Sequence, residues 1–353
     1  LPEVNASGSA VVSADFDGDG YTDLFVGGRT PMGTYPYPDK SFLLKNEKGK
    51  LVDVTEQWAP GLSKVGMVTD AFWNDVDLDG RMDLIVVGEY MPITIFKNNM
   101  NSFTPLLETG LEDELGWWES IAGADFDGDG DTDFIVGNIG ANNFYKPSKV
   151  YPVTVLAKDF DGNGSMDPIV FAYFKNNEGE LESFPVNFWG DLFQQSPIFR
   201  GKFNFYKEYA MATQDDIFTE AEREGALKLI GNQDKSSYIE NLGNGKFKLH
   251  PLPSEAQLAP VNDILITDVD QDSHLDVLLI GNDYGNETFI GRLDALNGLL
   301  LQGDGKGNFT AMPTHKSGFN ASGDAKAMGQ IKTKEGKSVY VVTQNRDSLL
   351  VFE

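Results

Sequence analysis

The sequence contains five acidic loops in which carboxylates recur at every second position. The first, DFDGDGYTD, begins at Asp15, and the others begin at Asp75, Asp125, Asp159 and Asp268. Carboxylates at positions 1, 3, 5 and 9, joined by the carbonyl oxygen of position 7, can converge on one point if glycine at position 6 turns the backbone sharply. Six or seven hard oxygen ligands suit Ca²⁺. The loops therefore predict up to five structural Ca²⁺ sites.

Each loop supplies five predicted oxygen ligands. They are Asp15, Asp17, Asp19, the Tyr21 carbonyl and Asp23; Asp75, Asp77, Asp79, the Arg81 carbonyl and Asp83; Asp125, Asp127, Asp129, the Asp131 carbonyl and Asp133; Asp159, Asp161, Asn163, the Ser165 carbonyl and Asp167; and Asp268, Asp270, Asp272, the His274 carbonyl and Asp276. In the fifth loop Ser273 replaces the glycine of position 6, so we expect that site to be the weakest.

An EF-hand shares the first five positions of these loops, but it also needs an acidic ligand at position 12 and two flanking helices. Position 12 is valine in four of the loops and Leu279 in the fifth, and each lies inside an apolar run. The loops are therefore predicted to join strands, and the pattern argues against a Ca²⁺ sensor that opens a helix pair.

The composition limits the possible partners. The chain has 28 Lys+Arg against 54 Asp+Glu, a formal charge of -26, which argues against nucleic acid because phosphate binding needs a basic surface. There is no cysteine, so disulfides and thiolate chemistry are excluded. No apolar run approaches the roughly 20 residues of a spanning helix.

The elements around each loop predict an all-β fold. Short Val/Ile/Leu/Phe runs follow the loops, and hairpins with Asn and Gly at their turns come next. One unit therefore corresponds to a four-stranded antiparallel blade. Most units are spaced near 50 residues, which predicts a β-propeller with seven blades favoured and six possible.

Some segments depart from this repeat. The fourth loop begins 34 residues after the third. That is too short for a blade, so we expect it in the outer hairpin of the third blade. Residues 175–225 are predicted to be an aromatic, partly helical insertion that either packs as core or binds a partner. Residues 1–6 could supply an outer strand. The whole chain, 1–353, is interpreted as one propeller domain.

The motif D-x-D-x-D-G-x-x-D followed by LFVGG or FIVGN resembles the FG-GAP/VCBS repeat, the blade unit of integrin α-subunit-like propellers. Longer segments such as VNDILITDVDQDSHLDVLLIGNDYG are similar to VCBS-repeat proteins of Bacteroidota surfaces that often carry an ASPIC/UnbV module. The resemblance implies a Ca²⁺-stabilised propeller that is exported to the outer surface or the exterior of a bacterium. It does not name a ligand.

A second site is expected on the face opposite the acidic loops. Exposed aromatic, amide and arginine side chains there would suit a sugar or a protein partner, although packing between blades is an equally good interpretation. The candidates are Arg29, Tyr37, Tyr90, Trp117, Trp118, Asn138, Asn142, Tyr284 and Arg292.

Catalytic motifs are absent from the sequence. The three histidines fall in unrelated places, and neither a nucleophile elbow nor a phosphate-binding loop occurs. The leading interpretation is a non-catalytic propeller that binds a protein partner or a glycan at the bacterial surface. A carbohydrate-active hydrolase or lyase is one alternative, since a carboxylate pair leaves no sequence motif. A purely structural component of a larger surface assembly is the other.

Overall fold

The computed structural model describes residues 6–286 and 290–353. The described chain is mostly β and forms a series of four-stranded antiparallel sheets, so the predicted all-β, propeller-like architecture is confirmed. The number of blades stays a prediction. The strand expected at residues 1–6 lies outside the described residues for all but its last position.

The first two sheets are built from consecutive strands. Their strands are β1 (Gly8–Ala14), β2 (Asp23–Gly28), β3 (Phe42–Glu47) and β4 (Lys50–Asp53) in the first, and β5 (Met67–Asn74), β6 (Asp83–Met91), β7 (Thr94–Asn98) and β8 (Phe103–Pro105) in the second. A two-residue strand, β9 (Gly116–Trp117), also pairs with β6. The short helix α1 (Thr55–Trp58) follows the first sheet.

The third sheet is interrupted by a complete additional sheet. Its strands are β10 (Ser120–Ala124), β11 (Asp133–Gly137), β16 (Ser237–Asn241) and β17 (Phe247–Pro251), and between β11 and β16 the chain forms β12 (Val153–Lys158), β13 (Asp167–Lys175), β14 (Leu181–Pro185) and β15 (Leu227–Gly231). These four inserted strands pair in the order β14-β13-β12-β15, which we call the inserted sheet.

The fourth and fifth sheets again use consecutive strands. They are β18 (Val261–Thr267), β19 (Asp276–Gly281), β20 (Leu299–Gly303) and β21 (Phe309–Met312), then β22 (Ala325–Lys332), β23 (Ser338–Gln344) and β24 (Leu350–Phe352). The helix α6 (Thr314–Ser317) lies between them, and the helices α2 (Trp189–Gln195), α3 (Tyr206–Ala210), α4 (Gln214–Ile217) and α5 (Glu220–Arg223) belong to the insertion. Among the described residues, no helix has the length and apolar character to cross a bilayer.

The structure corrects one detail of the predicted repeat and refines the description of the insertion. The fourth acidic loop joins β12 to β13 in the inserted sheet and is not part of the third sheet's outer hairpin. The strand at 227–231 belongs to the inserted sheet, where it pairs with β12 at the edge. The insertion is helical only from Trp189 onward, since 181–185 is a strand.

Successive sheets are joined through their first strands. A side chain at the start of one first strand donates a hydrogen bond to a carbonyl of the next, as Thr69 does to Trp118 at 2.6 Å and Asn262 does to Ala325 at 2.7 Å. Ser9 and Ser120 make the equivalent bonds to Val68 and Val261. The first strands of these five sheets therefore lie next to one another in chain order, as in propeller-like blades.

The core lies between neighbouring sheets. Along β6, Leu84 and Val86 pack toward the first sheet, while Ile85 and Val87 pack toward the third. This alternation follows from the two-residue side-chain period of a strand. Both faces of the central strands are apolar for that reason, which explains why the sequence shows continuous apolar runs after each loop.

The aromatic residues of the insertion are divided between core and surface. Phe199, Tyr209 and Phe218 are buried against Phe171 of β13. Phe205 remains 68% exposed. Packing therefore accounts for much of the aromatic content predicted for this segment.

Candidate metal sites and central cavity

The five acidic loops share one backbone conformation, which is held by their own carboxylates. In every loop the N–H of position 6 donates to the position 1 carboxylate, as in Gly20 to Asp15 at 2.9 Å and Ser273 to Asp268 at 3.0 Å. The position 5 side chain accepts the N–H of position 7, as in Tyr21 to Asp19 at 3.0 Å. These bonds turn the chain back on itself and bring alternate side chains to one side.

Carboxylate oxygens converge in each loop to within 4.8 Å of one another. The converging groups are Asp15, Asp17 and Asp19; Asp75, Asp77 and Asp83; Asp125, Asp127 and Asp133; Asp159, Asp161 and Asp167; and Asp268, Asp270 and Asp276. Oxygens this close can share one cation, whereas without one they repel each other. The loops could therefore hold metal ions at the predicted aspartates. The participation of Asp23, Asp79, Asp129, Asn163, Asp272 and the position 7 carbonyls stays a prediction.

The aspartate at position 9 connects each loop to the sheet. Asp83 is fully buried, and its Oδ2 accepts the Val76 N–H at 3.1 Å while its Oδ1 accepts the Asn98 N–H at 2.7 Å. Asp23 and Asp133 make the same pair of contacts, and Asp276 does so with Gly303. One carboxylate thus ties the loop, the second strand and the end of the third strand together.

Burial and crowding perturb these carboxyls. Burial raises the pKa of Asp83 to about 6, and the neighbouring Asp77 and Asp79 charges add to the effect, although two backbone N–H groups oppose it. Burial also raises the pKa of Asp131 to about 6, with contributions from the other four aspartates of its loop. A bound cation would favour the ionised forms and offset both effects.

Some carboxylate oxygens of the loops have no hydrogen-bond partner, as expected of oxygens that can coordinate a metal. Within the described residues, Oδ1 of Asp77, Asp131 and Asp167 is buried and has no hydrogen-bond partner. An unsatisfied buried acceptor is costly, and a divalent cation coordinated by the loop would satisfy it. The residues present therefore fit a hard divalent cation.

The loops differ in the side chain that the third strand of their sheet places beside them, at the position just before the residue whose N–H bonds the position 9 aspartate. Lys45 contacts Asp17 in the first loop, and Lys97 contacts Asp77 in the second. The third sheet has Glu240 at this register, and the fourth has Gln302, whose Nε2 donates to Asp270 at 2.9 Å. A local cation thus already compensates part of the charge in the first two loops.

Left-handed backbone occurs at two positions of each loop rather than at position 6 alone. Position 4 is also left-handed, and it is glycine in three loops but Leu78 and Gln271 in the other two, with φ of 58° and 64°. Ser273 at position 6 of the fifth loop has a φ of 73°. The fifth loop therefore carries two strained non-glycine residues. Sequence inspection alone had identified only the second.

Sequence reasoning also missed an asparagine at the end of three third strands. Asn98 Nδ2 donates to Met82 within its own loop at 3.0 Å and to Phe16 in the loop of the preceding sheet at 2.7 Å. Asn241 likewise bonds Thr132 and Val76. The signal was present, because Lys-Asn or Glu-Asn precedes the turn in the three hairpins.

The opposite ends of the same strands surround a central cavity of about 320 Å³. All five sheets contribute to its wall. The predicted ligand-face residues that line it are Arg29, Tyr90 and Trp117, and the polar lining that sequence reasoning missed comprises Glu89, Glu119, Asn262, Asp283 and Lys326. No local pattern marks this second group, because each residue comes from a different part of the chain.

The remaining predicted ligand-face residues lie away from this cavity. Trp118 is fully buried and donates to the Met91 carbonyl at 3.1 Å, and Asn138 is fully buried and bonds Gln233 at 3.0 Å. Their assignment to an exposed face was wrong, because both complete the packing between sheets. Tyr37 bonds the Ala157 carbonyl of the inserted sheet.

The last three candidates are Arg292, Tyr284 and Asn142, and none of them lines the cavity. The Arg292 guanidinium lies 4.5 Å from the centre of the Tyr284 ring. Asn142 is exposed and donates to the Leu258 carbonyl at 3.0 Å. The structure does not bring these three residues into the cavity lining.

Charges in the cavity are unevenly paired. Arg29 Nε donates to Glu89 Oε1 at 2.6 Å, and Glu89 is buried. Glu119 lies nearby, and no hydrogen-bond or ion-pair partner for its carboxyl occurs in residues 6–286 or 290–353. Burial raises the pKa of Glu119 to about 8, and the Glu89 and Asp283 charges contribute while Arg29 and Lys326 oppose.

Comparison with known proteins adds family evidence. The model described as FG-GAP-like repeat matches residues 75–136, and the FG-GAP repeat model matches 7–32 and 117–156. No curated protein matches. Among solved structures, the chain is similar to the V. cholerae biofilm matrix protein Bap1, with 11% identity and a TM-score of 0.30 over 95% of this chain. The alignment covers 57% of that protein, so this chain corresponds to little more than half of its length.

The family matches coincide with the metal-loop geometry. The matched segments contain the acidic loops that begin at Asp15, Asp75 and Asp125. These are the loops that join the first two strands of the first, second and third sheets. The chain is therefore one that carries FG-GAP repeats, and its first three acidic loops belong to them.

Proposed function

We propose that the chain is a non-catalytic, Ca²⁺-stabilised propeller that binds a protein partner or a glycan at the surface of a bacterium. The observation that supports it most directly is the buried aspartate of position 9. It joins a cluster of converging carboxylates to the second and third strands of a sheet. An ion in this loop would lock a strand pair in place, which is a structural role.

Calcium is the metal that best fits these ligands. All converging groups are carboxylates, and the loops contain no cysteine or converging histidine among the described residues. Hard oxygen sets favour Ca²⁺ or Mg²⁺, and a flexible loop of six or seven ligands favours Ca²⁺. Five divalent ions would change the formal charge of -26 to about -16.

An exterior location follows from the modest affinity expected of such sites. Sites of this affinity become occupied where Ca²⁺ is millimolar, which is the case outside the cytoplasm. FG-GAP repeats at the first three loops are consistent with a surface or adhesion role. The side of the sheets away from the loops carries the cavity, so it is the proposed binding face.

The metal proposal is tested by counting bound ions and measuring stability. We expect Ca²⁺ to bind at up to five sites and to raise the unfolding free energy by roughly 2.7 kcal/mol per site at a hundredfold excess over Kd. Replacing both Asp75 and Asp77 by alanine should remove one ion. The control is Asp113→Ala, since Asp113 is exposed and lies outside the loops. Unchanged stability and no bound ion in millimolar calcium would contradict the proposal.

A carbohydrate-active enzyme is the second candidate, and the cavity is what favours it. Glu89 is paired with Arg29, whereas the Glu119 carboxyl has no ion pair among the described residues, so two carboxyls in one cavity have unequal surroundings. Such inequality is what an acid and base pair requires. Turnover of a polysaccharide that is lost in Glu119→Gln would replace the binding proposal with this one.

A further inference from the structure

The central cavity contains more acidic than basic groups, and its basic groups are already paired. Glu89, Glu119 and Asp283 line it together with Arg29 and Lys326. Arg29 pairs with Glu89, and Lys326 Nζ lies 2.7 Å from Oδ1 of Asp324. Two carboxyl groups are left over in the cavity.

These two carboxyl groups have little compensation from the described part of the chain. Asp283 accepts the Gly285 N–H at 2.8 Å and has no ion pair there. The Glu119 carboxyl has neither a hydrogen bond nor an ion pair there, although it lies near the charges of Arg29, Lys326, Glu89 and Asp283. Both residues are half-buried, and a partly desolvated carboxylate without an ion partner is destabilised, so a cation bound in this cavity would be favourable.

We propose that the cavity binds a primary ammonium group carried at the end of a narrow aliphatic chain, with Glu119 as its ion partner. The inference rests on the proposed function, in which this face is the binding surface. The ammonium group supplies three hydrogen-bond donors, and Glu119 and Asp283, which both line the cavity, carry carboxyl groups that can accept them.

The size of the cavity and the packing of its aromatic wall favour a small ligand group over a sugar ring. Its volume of about 320 Å³ is at the lower end for small-molecule sites. The Trp117 ring is 7% exposed and packs against Tyr90 at 4.9 Å and Tyr145 at 6.5 Å between ring centres. Its faces are therefore used in packing and do not form an open stacking platform for a sugar ring.

The electrostatic field of the molecule acts in the same direction. The formal charge of -26 attracts cations toward the protein, and a cavity with low-dielectric walls concentrates the field. Binding of an ammonium would stabilise the ionised form of Glu119. Proton release from Glu119 should therefore accompany binding near neutral pH, where its raised pKa of about 8 leaves the free group protonated.

The test is calorimetric titration of the calcium-loaded full chain at pH 8.5. The probes are n-butylamine and Nα-acetyl-lysine methylamide, which carry the same ammonium without and with a peptide frame. The matched control ligand is the Nε-acetylated lysine derivative, which has lost the charge. We expect both amines to bind at least tenfold more tightly than the acetylated ligand. Binding of the lysine derivative alone would also support the proposal and would identify a protein side chain as the source.

Glu119→Gln is the matched protein variant, because it keeps the shape of the side chain and removes its charge. It should weaken amine binding at least tenfold, while Glu178→Gln, an exposed substitution, should not change it. Equal binding of acetylated and free lysine derivatives, or unchanged affinity in Glu119→Gln, would overturn the inference. Both variants should keep their calcium titration, so failure here is distinguishable from failure of the proposed metal sites.

Discussion

At the scale of single residues, Asn98 joins the acidic loops of two sheets. Its Nδ2 donates to carbonyls of both loops, and its Oδ1 accepts the Met100 N–H at 2.9 Å. We expect Asn98→Ala to lower the unfolding free energy by about 2 to 3 kcal/mol, because it leaves buried groups without partners. Urea denaturation at fixed calcium measures this change.

Asn46 provides the control for that prediction. It occupies the same position in the first sheet, but its Nδ2 bonds only Thr22 of its own loop. Asn46→Ala should therefore lower the unfolding free energy by about 1 kcal/mol or less. Equal losses in the two variants would mean that the bond between sheets contributes nothing.

Ser273 provides a prediction in the opposite direction. Its left-handed backbone, with φ of 73°, is unfavourable for a residue with a Cβ. Ser273→Gly should raise the unfolding free energy by about 1 kcal/mol and tighten calcium binding in the fifth loop. Ser165→Gly in the fourth loop is the comparison, since position 7 has no positive φ there. A gain of similar size in Ser165→Gly would show that strain is not the cause.

At the scale of elements, the inserted sheet is fixed to the rest of the molecule through Trp117. The Trp117 ring lies directly over Gly231 of β15, where a Cβ would come within 2.3 Å of it. The ring cannot move away freely, because Tyr90 and Tyr145 pack on it. Gly231→Ala should therefore lower the unfolding free energy by about 1 to 3 kcal/mol and loosen the insertion.

Two measurements test the role of this contact. Urea denaturation should show the lower stability, and limited proteolysis should cleave within 189–223 earlier than in the wild type. Gly329→Ala in β22 is the control, because a Cβ there meets no atom within 4 Å. Faster cleavage in both variants would argue against a specific contact between Trp117 and β15.

Local patterns explain which elements could be predicted from the sequence. The loops, the strands that follow them and the hairpin turns depend on spacings of a few residues, and the structure has all three. β11 pairs with β16 and places Phe134 opposite Ile239, although the whole inserted sheet lies between these strands in the sequence. No local pattern encodes that return of the chain, so the fourth loop was assigned to the wrong sheet.

At the scale of the whole molecule, the cavity shows why its lining was only partly predictable. Arg29, Tyr90 and Trp117 could be selected from the sequence by residue type, since aromatic and arginine side chains are common at binding sites. Glu119 and Lys326 are ordinary charged residues in sequence. They become distinctive only because the sheets place them in the lining of one cavity.

The pH dependence of stability tests this arrangement of the sheets. The folded state holds a proton on Glu119 up to a pKa of about 8, whereas an unfolded glutamate releases it near about 4.3. Between these values the folded state binds more protons, so the contribution of Glu119 to stability decreases as the pH rises. Glu119→Gln should therefore match the wild type at pH 4 and become progressively more stable than it up to pH 8, with a constant difference above. Urea denaturation across this range, at saturating calcium and with Glu178→Gln as control, measures the difference. A difference that does not change with pH would mean that Glu119 is solvated and that the sheets do not enclose it.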